Sequence, residues 1–133
     1  MSIDDLKFQI AGRERSLVSV VDDESVRESL PDLLREFGFA ARAFSSAEEF
    51  LSSGCVGETR CLILDVAMPG MTGPGLRREL KLGRQQIPIV FITARRDEDV
   101  RPRVLEHGAV ECLFKPFSDT ALLDAINTAL QIT

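Results

Sequence analysis

The 133-residue chain has little of several things, and each shortage excludes a class of protein. It has no apolar run near the ~20 residues that cross a bilayer, so no membrane span is expected. Its first residues, MSIDDLKFQIAGRERS, lack a basic start followed by an apolar block, so they do not read as a secretory signal, and a cytoplasmic protein is expected. Cysteine is scarce. Cys55, Cys61 and Cys112 form an odd set without framework spacing, which argues against structural disulfides. His107 is the single histidine, and no CxxC pattern accompanies it, so a zinc centre is not expected. Basic charge is also short. The formal net charge is -5, which suits a soluble domain and makes direct binding to a nucleic-acid backbone an unpromising role. There is no internal repeat or low-complexity tract.

What is present is a rhythm. Residues 1–15 are polar with a weak alternation at Leu6, Phe8 and Ile10, and read as a leader ahead of one domain over 16–133. Ser16–Val21 is a compact apolar run ending in acid. Val26, Leu30, Leu33, Leu34 and Phe37 then follow helical spacing, and Gly38 closes that helix. Strand-like runs recur at Phe39–Phe44, Arg60–Asp65, Ile87–Thr93 and Ala109–Phe114. Helices are expected over 46–51, capped by Ser45 or Ser46, over 75–82, over 97–107 up to Gly108, and over 118–131, capped by Ser118. In the last, Leu122, Leu123, Ile126, Ala129 and Leu130 make the inner side. Short strands that are apolar throughout are buried on both faces. Five of them alternating with helices predict an α/β fold, a doubly wound five-stranded parallel sheet with helices on both sides.

Ligands of such sheets sit at the carboxyl ends of the strands. The first strand delivers Asp22 and Asp23 there, the third Asp65, the fourth Thr93 and the fifth Lys115. Taken singly, each residue has an ordinary explanation: a helix cap, a turn acid ahead of Pro69-Gly70, a strand-end hydroxyl, a surface lysine. Their joint placement at one rim is what carries the argument. Carboxylates crowded together need a cation, and hard oxygen donors suit magnesium. A lysine and a hydroxyl opposite them suit the oxygens of a phosphoryl group, whose transfer depends on positioning and charge neutralisation.

The segments VVDDE, LILDVAMPGMTG, IVFITA and CLFKPF resemble the receiver domains of bacterial two-component response regulators, over about Ser16 to Ile132. The run VRESL…FGFAARAFSSAEEFL is most like receivers that carry a helix-turn-helix output domain. The resemblance implies a flavodoxin-like strand order 2-1-3-4-5. It implies that Asp65 takes a phosphoryl group from a sensor histidine kinase. It further implies that Asp23, Asp65 and the carbonyl of Ala67 bind Mg2+ directly, Asp22 does so through water, Thr93 and Lys115 hold the phosphoryl group, and the Lys115–Pro116 bond is cis.

The sequence departs from that family at Cys112, where the family usually has Tyr or Phe. That ring normally swings inward with Thr93, and a cysteine is too small to report the change in that way. In the plain reading Cys112 is a small apolar residue in a strand. A redox-sensing role lacks any neighbour in the sequence to lower its pKa. Ala67 and Arg95 stand where the family tunes loss of the phosphoryl group. Pro31 and Pro102 fall inside expected helices, which proline disfavours beyond the first turn. The helix over 97–107, fourth in order, is therefore expected to start late, near Arg101, or to be irregular. With the fifth strand it forms the expected contact surface for a second copy of the chain or an output domain. Three rivals are weighed against this reading. A phosphatase with an aspartate nucleophile would want an acid where Ala67 stands. A flavin carrier would want a glycine- and hydroxyl-rich loop where Asp22-Asp23-Glu24 stands. A degenerate receiver acting only as an interaction module is the third, and Cys112 is what speaks for it.

Overall fold

The computed structural model describes residues 16–22, 29–66, 73–83, 86–93, 102–103, 105 and 108–132. Within them five parallel strands, β1 (Leu17–Val21), β2 (Ala40–Phe44), β3 (Thr59–Asp65), β4 (Ile89–Thr93) and β5 (Glu111–Phe114), form one sheet in the order β2-β1-β3-β4-β5. The helices are α1 (Leu30–Glu36), α2 (Ala47–Ser52), α3 (Gly73–Leu82) and α4 (Asp119–Ile132). The expected topology and strand order are therefore observed. No helix among the described residues is long and apolar enough to cross a membrane.

The three middle strands are buried on both faces because their sequences are apolar at successive positions, not alternating ones. Side chains of neighbouring strand residues point to opposite faces. Leu62 and Leu64 accordingly enter one core with Val21, Phe44, Phe50, Leu76, Phe91 and Cys112, and Cys61 and Ile63 enter another with Val18, Val20, Leu34, Ile92, Leu122 and Ile126. Helices α2 and α3 cover the first core, α1 and α4 the second. Leu105, from the helix expected over 97–107, packs against the first core, and residues 102, 103 and 105 are helical. The rest of that helix, and with it the expected late start near Arg101, lies outside the described residues.

Several boundaries have local causes. Helix α1 is described from Leu30, with Pro31 in its first turn, where the missing N–H costs nothing. Chain reversal after it uses Gly38 at φ +94°, a left-handed conformation that glycine adopts freely. Ser46, rather than Ser45, caps α2, its hydroxyl accepting from the Glu49 N–H at 3.0 Å. Ser118 caps α4 in the same way at Ala121. Strand β4 starts at Ile89, two residues later than expected. Pro88 has no N–H to give a ladder, but its carbonyl still accepts from Leu62 at 3.0 Å. Strand β3 starts one residue early, at Thr59. Its hydroxyl donates to the Cys55 carbonyl at 2.8 Å and accepts from the buried Ser19 hydroxyl at 2.8 Å. None of the three cysteines is in a disulfide, and all are buried. Burial pushes the Cys61 thiol from 9.0 up to about 12.

Candidate functional site

Parallel strands all end at one side of a sheet, so the side chains that follow or end them share a rim. Asp22 follows β1, Asp65 ends β3, Thr93 ends β4 and Lys115 follows β5. Register fixes their spacing. Val21 lies beside Leu64, which puts Asp22 next to Asp65 across adjacent strands. Thr93 lies beside Phe114, and the Lys115 N–H donates to the Thr93 carbonyl at 2.7 Å, so the lysine is seated by the end of the neighbouring strand β4. The Asp22 N–H donates to the Phe44 carbonyl and the Val66 N–H to the Ile92 carbonyl, which extends the ladder one residue past the end of each strand.

The side chains converge. Lys115 Nζ lies 3.4 Å from both carboxylate oxygens of Asp22 and 3.3 Å from Oδ2 of Asp65. Asp22 is almost wholly buried, at 1% side-chain exposure, and Asp65 keeps 13%. Thr93 is buried beside them at the end of the next strand. The Lys115–Pro116 bond is cis. Asp23 and Ala67, the other two ligands expected from the sequence, lie outside the described residues, as does Arg95. Among the described residues no group of three or more His, Cys, Asp or Glu is placed to hold a metal ion. The two carboxylates that are described offer only hard oxygen donors, the kind magnesium takes, and they adjoin the segment that carries Asp23.

Cys112 is buried in β5, in register with Phe91, and belongs to the core under α2 and α3. Its 2% exposure shields the thiol from solutes, which fits the plain reading of a small core residue. Sequence reasoning did not find the Ser19–Thr59–Cys55 hydroxyl chain, because its partners lie 40 positions apart and nothing local marks them.

The family model for the response regulator receiver domain matches residues 18–127. The chain belongs to that family. This receiver domain is 42% identical over 118 residues to Nodulation protein W of Bradyrhizobium diazoefficiens, a match that covers 88% of the chain and 52% of that relative. It is 38% identical over 118 residues to Transcriptional regulatory protein TdiR of Thauera aromatica, again covering 88% of the chain and 52% of the relative. Among solved structures it resembles the response regulator StyR, with a TM-score of 0.79 and 47% identity over 88% of the chain and 60% of that one. The chain thus spans about half the length of the curated relatives it matches. One of these relatives is named as a transcriptional regulatory protein and the solved neighbour as a response regulator.

Proposed function

We propose that this receiver is a phosphorylation-switched signalling module in which Asp65 is the acceptor. A phosphohistidine of a sensor histidine kinase supplies the group. Its P–N bond breaks as an oxygen of the Asp65 carboxylate forms the new P–O bond. The observation that carries this reading is the Lys115 ammonium 3.3 Å from Asp65, an acid that ends the central strand and still has an open side. An ammonium so placed can neutralise phosphoryl oxygens as charge builds on them. The buried Thr93 hydroxyl on the neighbouring strand end is the second group to receive them. Asp23, Asp65 and the Ala67 carbonyl would hold Mg2+, with Asp22 acting through water. When bound, the ion supplies charge neutralisation between the acceptor carboxylate and the phosphoryl oxygens. In this way the domain assists its own phosphorylation and dephosphorylation without being a conventional enzyme.

The same reading assigns residues 1–15 to a leader and 16–133 to the receiver, in the cytoplasm, with no direct role in binding nucleic acid. A helix-turn-helix output domain elsewhere in the protein fits the transcription-regulating relative. The contact surface is the helix over 97–107 together with β5, facing a second copy of the chain or that output domain. With Cys112 in place of a ring, phosphorylation acts by reshaping this helix rather than by turning an aromatic side chain. The interaction-only alternative is disfavoured by the pairing of Lys115 with two strand-end acids, which a module without phosphoryl chemistry has no need to keep. The test is intact mass after exposure to a small phosphodonor with magnesium. The wild-type chain gains one phosphoryl group and Asp65→Asn gains none. Full labelling of Asp65→Asn removes the assignment.

A further inference from the structure

Strand β3 does not keep one register with β1 along its whole length. Leu17 stands beside Thr59, but Val18 stands beside Cys61, so Arg60 is an extra residue on β3, a β-bulge. Side-chain directions agree. Thr59 meets Ser19, which lies between Leu17 and Val21 on the face under α2 and α3, whereas Cys61 enters the core under α1 and α4. Residues two apart on a regular strand would share a face. Arg60 itself is exposed.

We propose that this bulge, held by the Ser19–Thr59 hydroxyl pair, is the register key that brings Asp65 level with Asp22, and that Ser19 and Thr59 are positioning residues for the acceptor at the opposite end of the strand. The inference rests on the reading of Asp65 as the phosphoryl acceptor.

Residue spacing shows what the bulge does. Asp22 is five positions beyond Leu17, and Asp65 is six beyond Thr59. In a regular ladder from the Leu17–Thr59 pair, Asp22 would stand beside Leu64. Asp65 would lie one residue further on, about 3.3 Å past the rim and turned to the other face. With Arg60 taken out of the ladder, Val21 pairs with Leu64 and the two acids come level. In that register Lys115 Nζ reaches both.

Apolar packing does not choose this register. Cys61, Leu62, Ile63 and Leu64 are all apolar and all buried, so a slip of one residue trades one apolar contact for another. The acids do not choose it either, because carboxylates brought level repel each other. Buried hydroxyls are more selective: each needs a partner at hydrogen-bond distance, and a slip leaves it without one. Ser19 is wholly buried, and its hydroxyl lies 2.8 Å from that of Thr59. Thr59 is tied in turn to the chain before it. Its hydroxyl donates to the Cys55 carbonyl at 2.8 Å, and that carbonyl also takes the N–H groups of Glu58 and Thr59 at 3.1 Å. The Cys55 N–H donates to the Ser53 hydroxyl, which donates to the Phe50 carbonyl of α2. Thr59 is thus fixed both to β1 and to α2. Setting the register of an apolar interface is the best-attested use of a buried polar group.

The experiment reads register and chemistry separately in the full chain. Through-space NMR contacts between β1 and β3 report register without any phosphodonor. The rate of mass gain with acetyl phosphate and magnesium chloride reports chemistry. Ser19→Ala/Thr59→Val removes both hydroxyls together, so neither is left unpaired. It is expected to fold, to show a slipped register in place of the Val21–Leu64 pairing, and to label more slowly by a factor on the order of a hundred, as for a misplaced acceptor. Thr59→Ser keeps the hydroxyl and is expected to keep the wild-type pairing and rate. A folded double variant with wild-type pairing overturns the inference, whatever its labelling rate. Full labelling of Asp65→Asn overturns the acceptor reading, while the pairing still decides the register. Should the double variant fail to fold, deletion of Arg60 decides. Thr59 and Asp65 are then as far apart as Leu17 and Asp22, so the hydroxyl pair and the rim agree without a bulge, and wild-type pairing and labelling are expected. A deletion variant that does not fold, or whose β3 has shifted, or whose Asp65 no longer labels, overturns the inference.

Discussion

Cys61 gives the domain a specific weakness at high pH. Its side chain is fully buried in the core under α1 and α4, and burial raises the thiol from 9.0 to about 12. Desolvation penalises the thiolate, so the folded state holds the proton more firmly than the unfolded chain. The stability this contributes is complete below about pH 9 and is lost as pH rises toward 12. A shift of three units corresponds to ~4 kcal/mol when fully lost, and to ~2 kcal/mol by about pH 10.5. The chain has no tyrosine, so no phenol titrates in the same window. The assay is urea unfolding of wild type and Cys61→Ala from about pH 7 to 10.5. Losing the sulfur lowers the Cys61→Ala curve by a constant amount for packing, but its alkaline slope should be shallower. By about pH 10.5 the gap between the two curves should have narrowed by ~2 kcal/mol. Curves that stay parallel over the whole range would refute the reasoning. Alkylation gives an independent check. At about pH 8 the folded thiol should carry roughly a thousandfold less thiolate than an ordinary cysteine, and Cys61 should stay unmodified until the domain unfolds.

Two further outcomes are expected. Ile126→Ala empties a fully buried position between α4 and the sheet and should cost ~2–5 kcal/mol in urea unfolding, so a loss well under 1 kcal/mol would contradict the packing described. Hydrogen exchange with and without a phosphoryl mimic should change most over 97–107, and a well-protected helix from Asp97 to His107 in both states would rule out reshaping as the route of output.

The fold was readable because its strands are short, apolar throughout and separated by helical spacing, and an alternation of that kind allows few topologies. Asp22, Asp65, Thr93 and Lys115 were readable for a related reason. Residues at the ends of parallel strands must meet, however far apart they stand in the chain, and Lys115 reaches Asp22 across 93 positions. Start points were less readable. Strand β5 begins at Glu111, where expectation had Ala109, although the Val110 N–H already donates to the Ile89 carbonyl. Helix α3 begins at Gly73, ahead of Pro74 and two residues before expectation, because the first turn tolerates both residue types that normally break helices. On α4, Leu123 and Leu130 are only half-buried and the smaller Ala125 is buried, because the face turned to the sheet is narrower than the apolar stripe. That Lys115 divides itself between two acids depends on tenths of an ångström, which no sequence pattern encodes.

The sheet divides the interior into two rooms that share a wall. Along β3 each step of one residue changes rooms, with Cys61 and Ile63 on one side and Leu62 and Leu64 on the other. Along β5, Cys112 opens into the room with Phe91 and Leu105, and its neighbour Leu113 opens into the room floored by α1 and α4. The residues on the Cys112 side and those that anchor α1 and α4 therefore pack against different helices. On the proposed reading, the Cys112 side would be the moving part and the side that anchors α1 and α4 its foundation.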